Sequence, residues 1–298
     1  MRLKRILFTG YAPVHFICFR PLYEYFVNHH GHEVFVSGGL RTKKEKDVTE
    51  EASTAKDYLY DEQGMYAPLG LPDNQILSVE TIRTMDFDIV FAGNTKLISP
   101  RSAGTRIQIF HGISFRNKAV RKENMGYDFY FIVGPYMHRR FIEGGLLTEN
   151  DPRALKIGFP KTDRLLNSKL NRKDLIRKYG FDGSRPILLY APTGQHHNSL
   201  ETMGEEVIKR LAENGNYDLL IKPHDHPKNK SINWFSKLAV MEDTHTRVVR
   251  DLDVISLLFL ADLLITDAAS VSSEYSLLDR PLVFLNVPEL IKQVSSAE

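Results

Sequence analysis

Apolar residues in this chain gather in short blocks, set apart by polar stretches long enough to hold a helix. The blocks are "RILFTG" (5–10), "HEVFVSGG" (32–39), "FDIVFAGN" (87–94), "RIQIFHG" (106–112), "DFYFIVG" (128–134), "PILLYAPT" (186–193), "YDLLIKPH" (217–224), "LADLLITD" (260–267) and "RPLVFLN" (280–286). Nearly all are apolar at successive positions, not only at every second one, and they end in Gly, Asn, Asp, Thr or His. That pattern predicts strands of parallel sheets covered on both faces. "RPLYEYFVNHHG" (20–31) and "SLETMGEEVIKRLAENG" (199–215) space apolar residues three and four apart and close on glycine, which predicts helices. The alternation predicts an α/β protein of doubly wound sheets.

Strand signals stop across "GFPKTDRLLNSKLNRKDLIRKYGFDGSRP" (158–186), where basic helix formers take over. A chain of 298 residues is long for one core, and the gap divides it into two Rossmann-like domains, expected at 1–163 and 164–298. Residues 41–84 fit the pattern least. "RTKKEKDVTEEASTAKD" (41–57) reads as a solvated helix or a loop, and "YAPLGLPDN" (66–74) is rich in turn formers.

Composition narrows the class. The chain is 42% hydrophobic, with 17 Phe and 13 Tyr, enough to bury large cores. A formal charge of +2 argues against a nucleic-acid binder that is basic throughout. Local basic runs remain, "SFRNKAVRK" (114–122), "MHRR" (137–140) and 164–178, as anion or membrane-surface contacts or as solvated faces. One cysteine, Cys18, excludes an intrachain disulfide and a multi-cysteine zinc site. The basic start is followed by an apolar run too short for a signal peptide, and no run reaches the ~18–20 residues of a membrane span. A cytoplasmic protein is expected, with peripheral membrane contact left open.

In open parallel sheets ligands bind beyond the carboxyl ends of the strands. The polar residues there are Thr9, Asn94, His111, Thr193 and His224, with Gly10 and Gly112 beside them, followed by "TDAASVSSEY" (266–275). His111, one residue past a strand and followed by Gly112, suits a general acid or base, a phosphate donor, or a strand-end histidine bonded to a carbonyl. In "LLIKPHDHP" (219–227) an extended chain places Lys222, His224 and His226 on one side and Asp225 on the other. Lys222 would repel a metal cation and further ligands are missing, so anion binding is the expectation, with a solvated basic corner as the alternative. Thr193 and Gly194 follow a strand where a phosphate can be held. Asp267 to Ser270 form a turn into a helix with Leu277 and Leu278 packing inward. That helix start, with Ser270, Ser272 and Ser273, makes a phosphate site or simply a capped helix, and Glu274 lies within reach of a ribose diol. P-loop, dinucleotide-binding and nucleophile-elbow motifs are absent.

Taken in order, "FHGIS" (110–114), "IGFPKTD" (157–163), "ILLYAPT" (187–193), "LLIKPH" (219–224) and "DVISLLFLADLLITDAASVSSEYSLLDRPLVFL" (253–285) resemble the CDP-glycerol glycerophosphotransferase family of teichoic-acid and capsule enzymes. Its pattern runs H-G-T-P-x-K, G-x-P-R-x-D, Y-A-P-T, R-P-H-P and T-D-Y-S-S-V-x-x-D. The resemblance implies a GT-B fold, two Rossmann-like doubly wound domains facing a central cleft, with the acceptor on the first and the nucleotide donor on the second. It implies His111 as catalytic base and His224 on the transferring phosphate or diphosphate. It also implies a donor site of Gly112, Thr193, Lys222, Thr266, Asp267, Ser270 and Ser272, with Glu274 on the ribose. No metal and no cofactor beyond the donor substrate is expected. The implied reaction moves glycerol phosphate, or a related polyol phosphate, from a CDP-activated donor to a lipid-linked or polymer hydroxyl. A GT-B glycosyltransferase or epimerase using a UDP-sugar, and a non-catalytic nucleotide-binding subunit, are the alternatives. The sequence departs from the family pattern at Ile113-Ser114-Phe115 and at Ala268-Ala269, which stand where the family has Thr-Pro with a following Lys and Tyr-Ser. Family members continue past a strand like "PLVFL" into helices that cross back to the first domain, so the resemblance implies a second domain cut short at Glu298.

Overall fold

The computed structural model describes residues 3–29, 31–43, 58–93, 98–112, 120–167, 170–213, 215–225 and 227–295. They form two compact units, the first ending at Lys161 and the second beginning at Thr162.

The first unit holds β1 (Arg5–Gly10), β2 (Glu33–Gly38), β3 (Leu40–Lys43), β4 (Tyr58–Asp61), β5 (Asp86–Ala92), β6 (Ser102–Ile109), β7 (Phe129–Ile132) and β8 (Ala154–Lys156). Its sheet runs β2-β1-β5-β6-β7-β8, every pair parallel, and β3 and β4 form a separate antiparallel pair. The chain moves from β1 outward to β2 and returns on the other side of β1 at β5, so the topological switch lies between β1 and β5. Phe8 stacks on Phe91 and Phe19 at centroid distances of 4.7 and 4.9 Å, fastening the helix Pro13–Asn28 to the sheet at that switch. This helix starts seven residues before the predicted 20–31, since "PVHFICF" lies in its most buried part and shows no amphipathic rhythm.

The second unit holds β9 (Ile187–Tyr190), β10 (Asp218–Ile221), β11 (Thr246–Val248), β12 (Leu263–Thr266) and β13 (Leu282–Phe284), in the all-parallel order β11-β10-β9-β12-β13. Alternate residues of β9 enter different cores. Leu189 packs with Leu220, Leu257, Leu264 and Tyr275, while Leu188 and Tyr190 pack with Leu219, Trp234 and Ile265. Burial on both faces explains the continuous apolar runs. The switch point lies between β9 and β12.

Two helix expectations change. Residues 199–215 form two helices, Ser199–Met203 and Glu206–Glu213, because Gly204 adopts φ 62° and ends the first. After β12 the helix Val271–Tyr275 tightens into a 3-10 turn, Ser276–Leu278, which leaves Leu277 48% exposed while Leu278 packs on the core. Residues 44–57, Asn94, His226 and 113–119 of the first basic run lie outside the described residues.

Candidate functional site

In the first unit the carboxyl ends of β1, β5 and β6 converge on His111. Its Nδ1 lies 3.0 Å from the Gly93 carbonyl oxygen, an acceptor, so Nδ1 carries the proton and donates. In the neutral ring the lone pair is then on Nε2. His111 has an open side. Burial, the largest influence, pushes its pKa below the ordinary histidine value; the Gly93 hydrogen bond opposes this, and the Lys161 charge adds to it. Lys161, 5% exposed, belongs to the "GFPKTD" motif, where the family pattern has arginine.

The His111 ring packs 4.7 Å from that of His15, a buried residue in the first turn of the helix Pro13–Asn28. His15 Nδ1 accepts from the Tyr11 amide at 3.1 Å, and the Tyr11 ring meets His15 edge-on at 4.6 Å. Motif reasoning missed His15 and Tyr11. The available signal was the glycine that ends β1: a Cβ on Gly10 would lie 2.8 Å from His15 Cβ, and one on Gly93 2.9 Å from it. Gly112 is not constrained in this way by the described residues, for a Cβ there meets none of their atoms within 4 Å. Thr9 is fully buried and its hydroxyl donates to the Phe91 carbonyl, so it braces the sheet.

In the second unit three loops meet beyond the carboxyl ends of β9, β10 and β12. Asp267, 1% exposed, draws two of them together. Its Oδ1 accepts from the Thr193 amide at 2.7 Å, and its Oδ2 accepts from the Ser199 amide and hydroxyl at 2.9 and 2.8 Å. The Lys228 amide donates to the Gly194 carbonyl at 2.7 Å, tying in the loop after β10. Thr266 is fully buried and donates to the Ala191 carbonyl at 2.6 Å; Ser272 donates back to the Ala269 carbonyl at 2.8 Å. Thr266, Asp267 and Ser272, expected in the donor site, thus use these side-chain groups to hold its loops together. Ser270 is exposed and its side chain makes no cap hydrogen bond, while Glu274 is buried in the short helix behind it.

The loop after β10 also departs from expectation. Lys222 does not stand beside His224 with Asp225 opposite. The chain turns after Pro223, so the buried Lys222 ammonium reaches Asp225 Oδ1 at 2.5 Å and the Pro223 carbonyl at 3.1 Å. Burial, the largest influence, lowers its pKa, and the Asp225 charge opposes the shift. His224 remains exposed and lines a pocket of ≈ 300 Å³ together with Trp234 and Phe235. Within the basic stretch 164–178, Arg164 pairs with Asp253, Arg172 with Asp262 at 2.6 Å and Lys178 with Asp251 at 2.5 Å. Among the described residues no cluster of three His, Cys, Asp or Glu is placed to hold a metal, and no helix is long and apolar enough to cross a membrane.

Comparison with known proteins places this geometry. A teichoic acid glycerol-phosphate primase of Bacillus spizizenii is 34% identical over 135 residues, 44% of this chain and 33% of that protein. The primase of Bacillus subtilis is 29% identical over 171 residues, 56% and 42% of the two chains. The matched part thus spans between about a third and two fifths of these curated relatives. Among solved structures, a wall teichoic acid polymerase, TagF, superposes with a TM-score of 0.62 at 19% identity, covering 96% of this chain and 70% of that one. A Staphylococcus aureus MnaA–UDP structure superposes at 0.57 and 12%, covering 95% and 80%. These likenesses establish the GT-B fold. The profile of the family described as CDP-glycerol:poly(glycerophosphate) glycerophosphotransferase matches residues 90–290, from the end of β5 to the final helix, and the chain belongs to that family.

Proposed function

We propose that the chain transfers glycerol phosphate, or a related polyol phosphate, from a CDP-activated donor to a hydroxyl of a lipid-linked or polymeric acceptor in cell-envelope polymer synthesis. The observation that carries this reading is His111, a histidine at the carboxyl edge of the first sheet, held by Gly93 with Nε2 as its proton acceptor and with its pKa lowered below the ordinary histidine value, chiefly by burial. His111 Nε2 takes the proton of the acceptor hydroxyl as that oxygen bonds to the donor's distal phosphorus. The bond from this phosphorus to the bridging oxygen breaks, and CMP leaves with the electron pair. His224 and the loops carrying Thr193 and Ser270 receive the diphosphate and stabilise its charge, and Glu274 holds the ribose. The first unit takes the acceptor and the second the donor, and the protein works at the cytoplasmic face of the membrane.

The test is release of CMP from CDP-glycerol and CDP-ribitol, with UMP and UDP release from UDP-sugars measured alongside. Acceptor-dependent CMP release that falls by roughly 10²–10⁴ in His111→Ala supports the assignment. Turnover of a UDP-sugar, or unchanged CMP release in both His111→Ala and His224→Ala, overturns it.

A further inference from the structure

Beyond the reacting histidine, the first unit holds an arginine whose setting no step above uses. Gly38 ends β2 with φ 91°, and a Cβ there would lie 1.9 Å from the Gly10 carbonyl oxygen, so only glycine permits this tight passage. The passage delivers β3 beside Tyr11. Arg41, exposed on β3, stacks its guanidinium 3.9 Å from the Tyr11 ring centroid and 4.6 Å from that of Tyr58 on β4. Among the described residues no carboxylate lies within ion-pairing distance of it. Tyr11 in turn meets His15, and His15 meets His111, in ring contacts of 4.6 and 4.7 Å. A continuous row of rings therefore leads from the reacting histidine to a cation that no carboxylate among the described residues pairs, on the same edge of the sheet.

We propose that Arg41 is an anion-binding residue that takes a phosphodiester of the acceptor chain, one removed from the hydroxyl that reacts. The inference rests on the proposed transfer for its role, and on geometry for its existence. Contact with two phenol rings holds the guanidinium in place on an exposed residue, and an arginine so held can offer its N–H fork to two phosphate oxygens at once. A lysine at this position carries the charge without the fork. An acceptor made of repeating phosphodiesters presents such a group near its terminal hydroxyl, whereas a neutral polyol does not.

The experiment measures equilibrium binding of a synthetic three-repeat glycerol phosphate oligomer, and of glycerol, to the intact chain and to R41M and R41K. Melting curves confirm that each variant is folded. Binding of the oligomer by wild type, weakened at least about tenfold in R41M and less in R41K, with glycerol indifferent to all three, is the expected result. Equal binding of the oligomer by wild type and R41M, or none by wild type, overturns the proposal. So does a defect of R41M confined to vesicles of anionic phospholipid, which would make Arg41 a membrane contact. Since binding is read without turnover, oligomer binding that depends on Arg41 in a protein that transfers nothing would leave Arg41 standing and remove the proposed reaction. If transfer occurs, R41M raises KM for the oligomer and leaves donor KM unchanged.

Discussion

The buried Asp267 carboxylate ties together loops of the second unit, and its removal separates a frame from a ligand. The carboxylate is 1% exposed and accepts from two backbone amides and a hydroxyl in the loop after β9. In Asp267→Ala the Ser199 hydroxyl keeps a partner, since it lies 2.7 Å from the Tyr190 hydroxyl. The Ser199 amide, in a fully buried residue, has no other acceptor among the described residues. A stranded buried donor costs about 1–3 kcal/mol, so the loss is at least about that for the Ser199 amide alone, with Asp267→Asn intermediate because one oxygen remains. The sole tryptophan, Trp234, is buried in the second unit, and its fluorescence during urea unfolding follows that unit. With a slope of ~1–3 kcal/mol per molar urea, the Asp267→Ala midpoint should fall by about 1 M or more. An unchanged midpoint accompanied by loss of CDP-glycerol binding would refute this reasoning and return Asp267 to direct contact with the donor.

Two further outcomes follow from the first unit. Because the His111 pKa lies below its ordinary value of ~6.5, the acid limb of CMP release should fall below that pH. Lys161→Met, which removes a neighbouring positive charge, should move the limb upward. Between the folded pKa and ~6.5 the unfolded chain binds more protons than the folded one, so the contribution of His111 to stability rises with pH through that window and is lost as pH falls through it. A limb that Lys161→Met leaves in place would contradict the assignment. Gly93→Ala places a Cβ 2.9 Å from His15 Cβ and 3.1 Å from its carbonyl oxygen, for a cost of about 1–3 kcal/mol. A lower melting temperature and reduced kcat, with donor affinity retained, are expected. Gly112→Ala, which meets no atom of the described residues, should hold stability within about 0.5 kcal/mol; equal melting of the two variants would count against the packing argument.

Strands such as β9 and β12 were legible in the sequence because both their faces are buried and every position had to be apolar. β8 and β11, three residues each at the rims of their sheets, carry no such signature. The residues that end the strands were legible too, since a parallel sheet directs its polar groups to one edge. What each side chain does there was not. Whether Asp267 faces a ligand or the Ser199 amide depends on a partner 68 residues away, and whether Lys222 is open or buried depends on a turn after Pro223. His15 escaped notice because it lies within the apolar run "PVHFICF", and only the close approach of Gly10 and Gly93 reveals its place.

The loop frame of the second unit has a consequence for how such a protein can change. Thr266, Asp267 and Ser272 hold the loops in place, whereas Ala268 is half-buried and Ser270 points outward with its side chain unused as a cap. Residues that brace the loops and residues left open to solvent thus alternate within one turn. A library varied at 268 and 270 with its neighbours fixed samples new chemistry on an unaltered scaffold, so substrate preference can drift between relatives while the architecture beneath it stays the same.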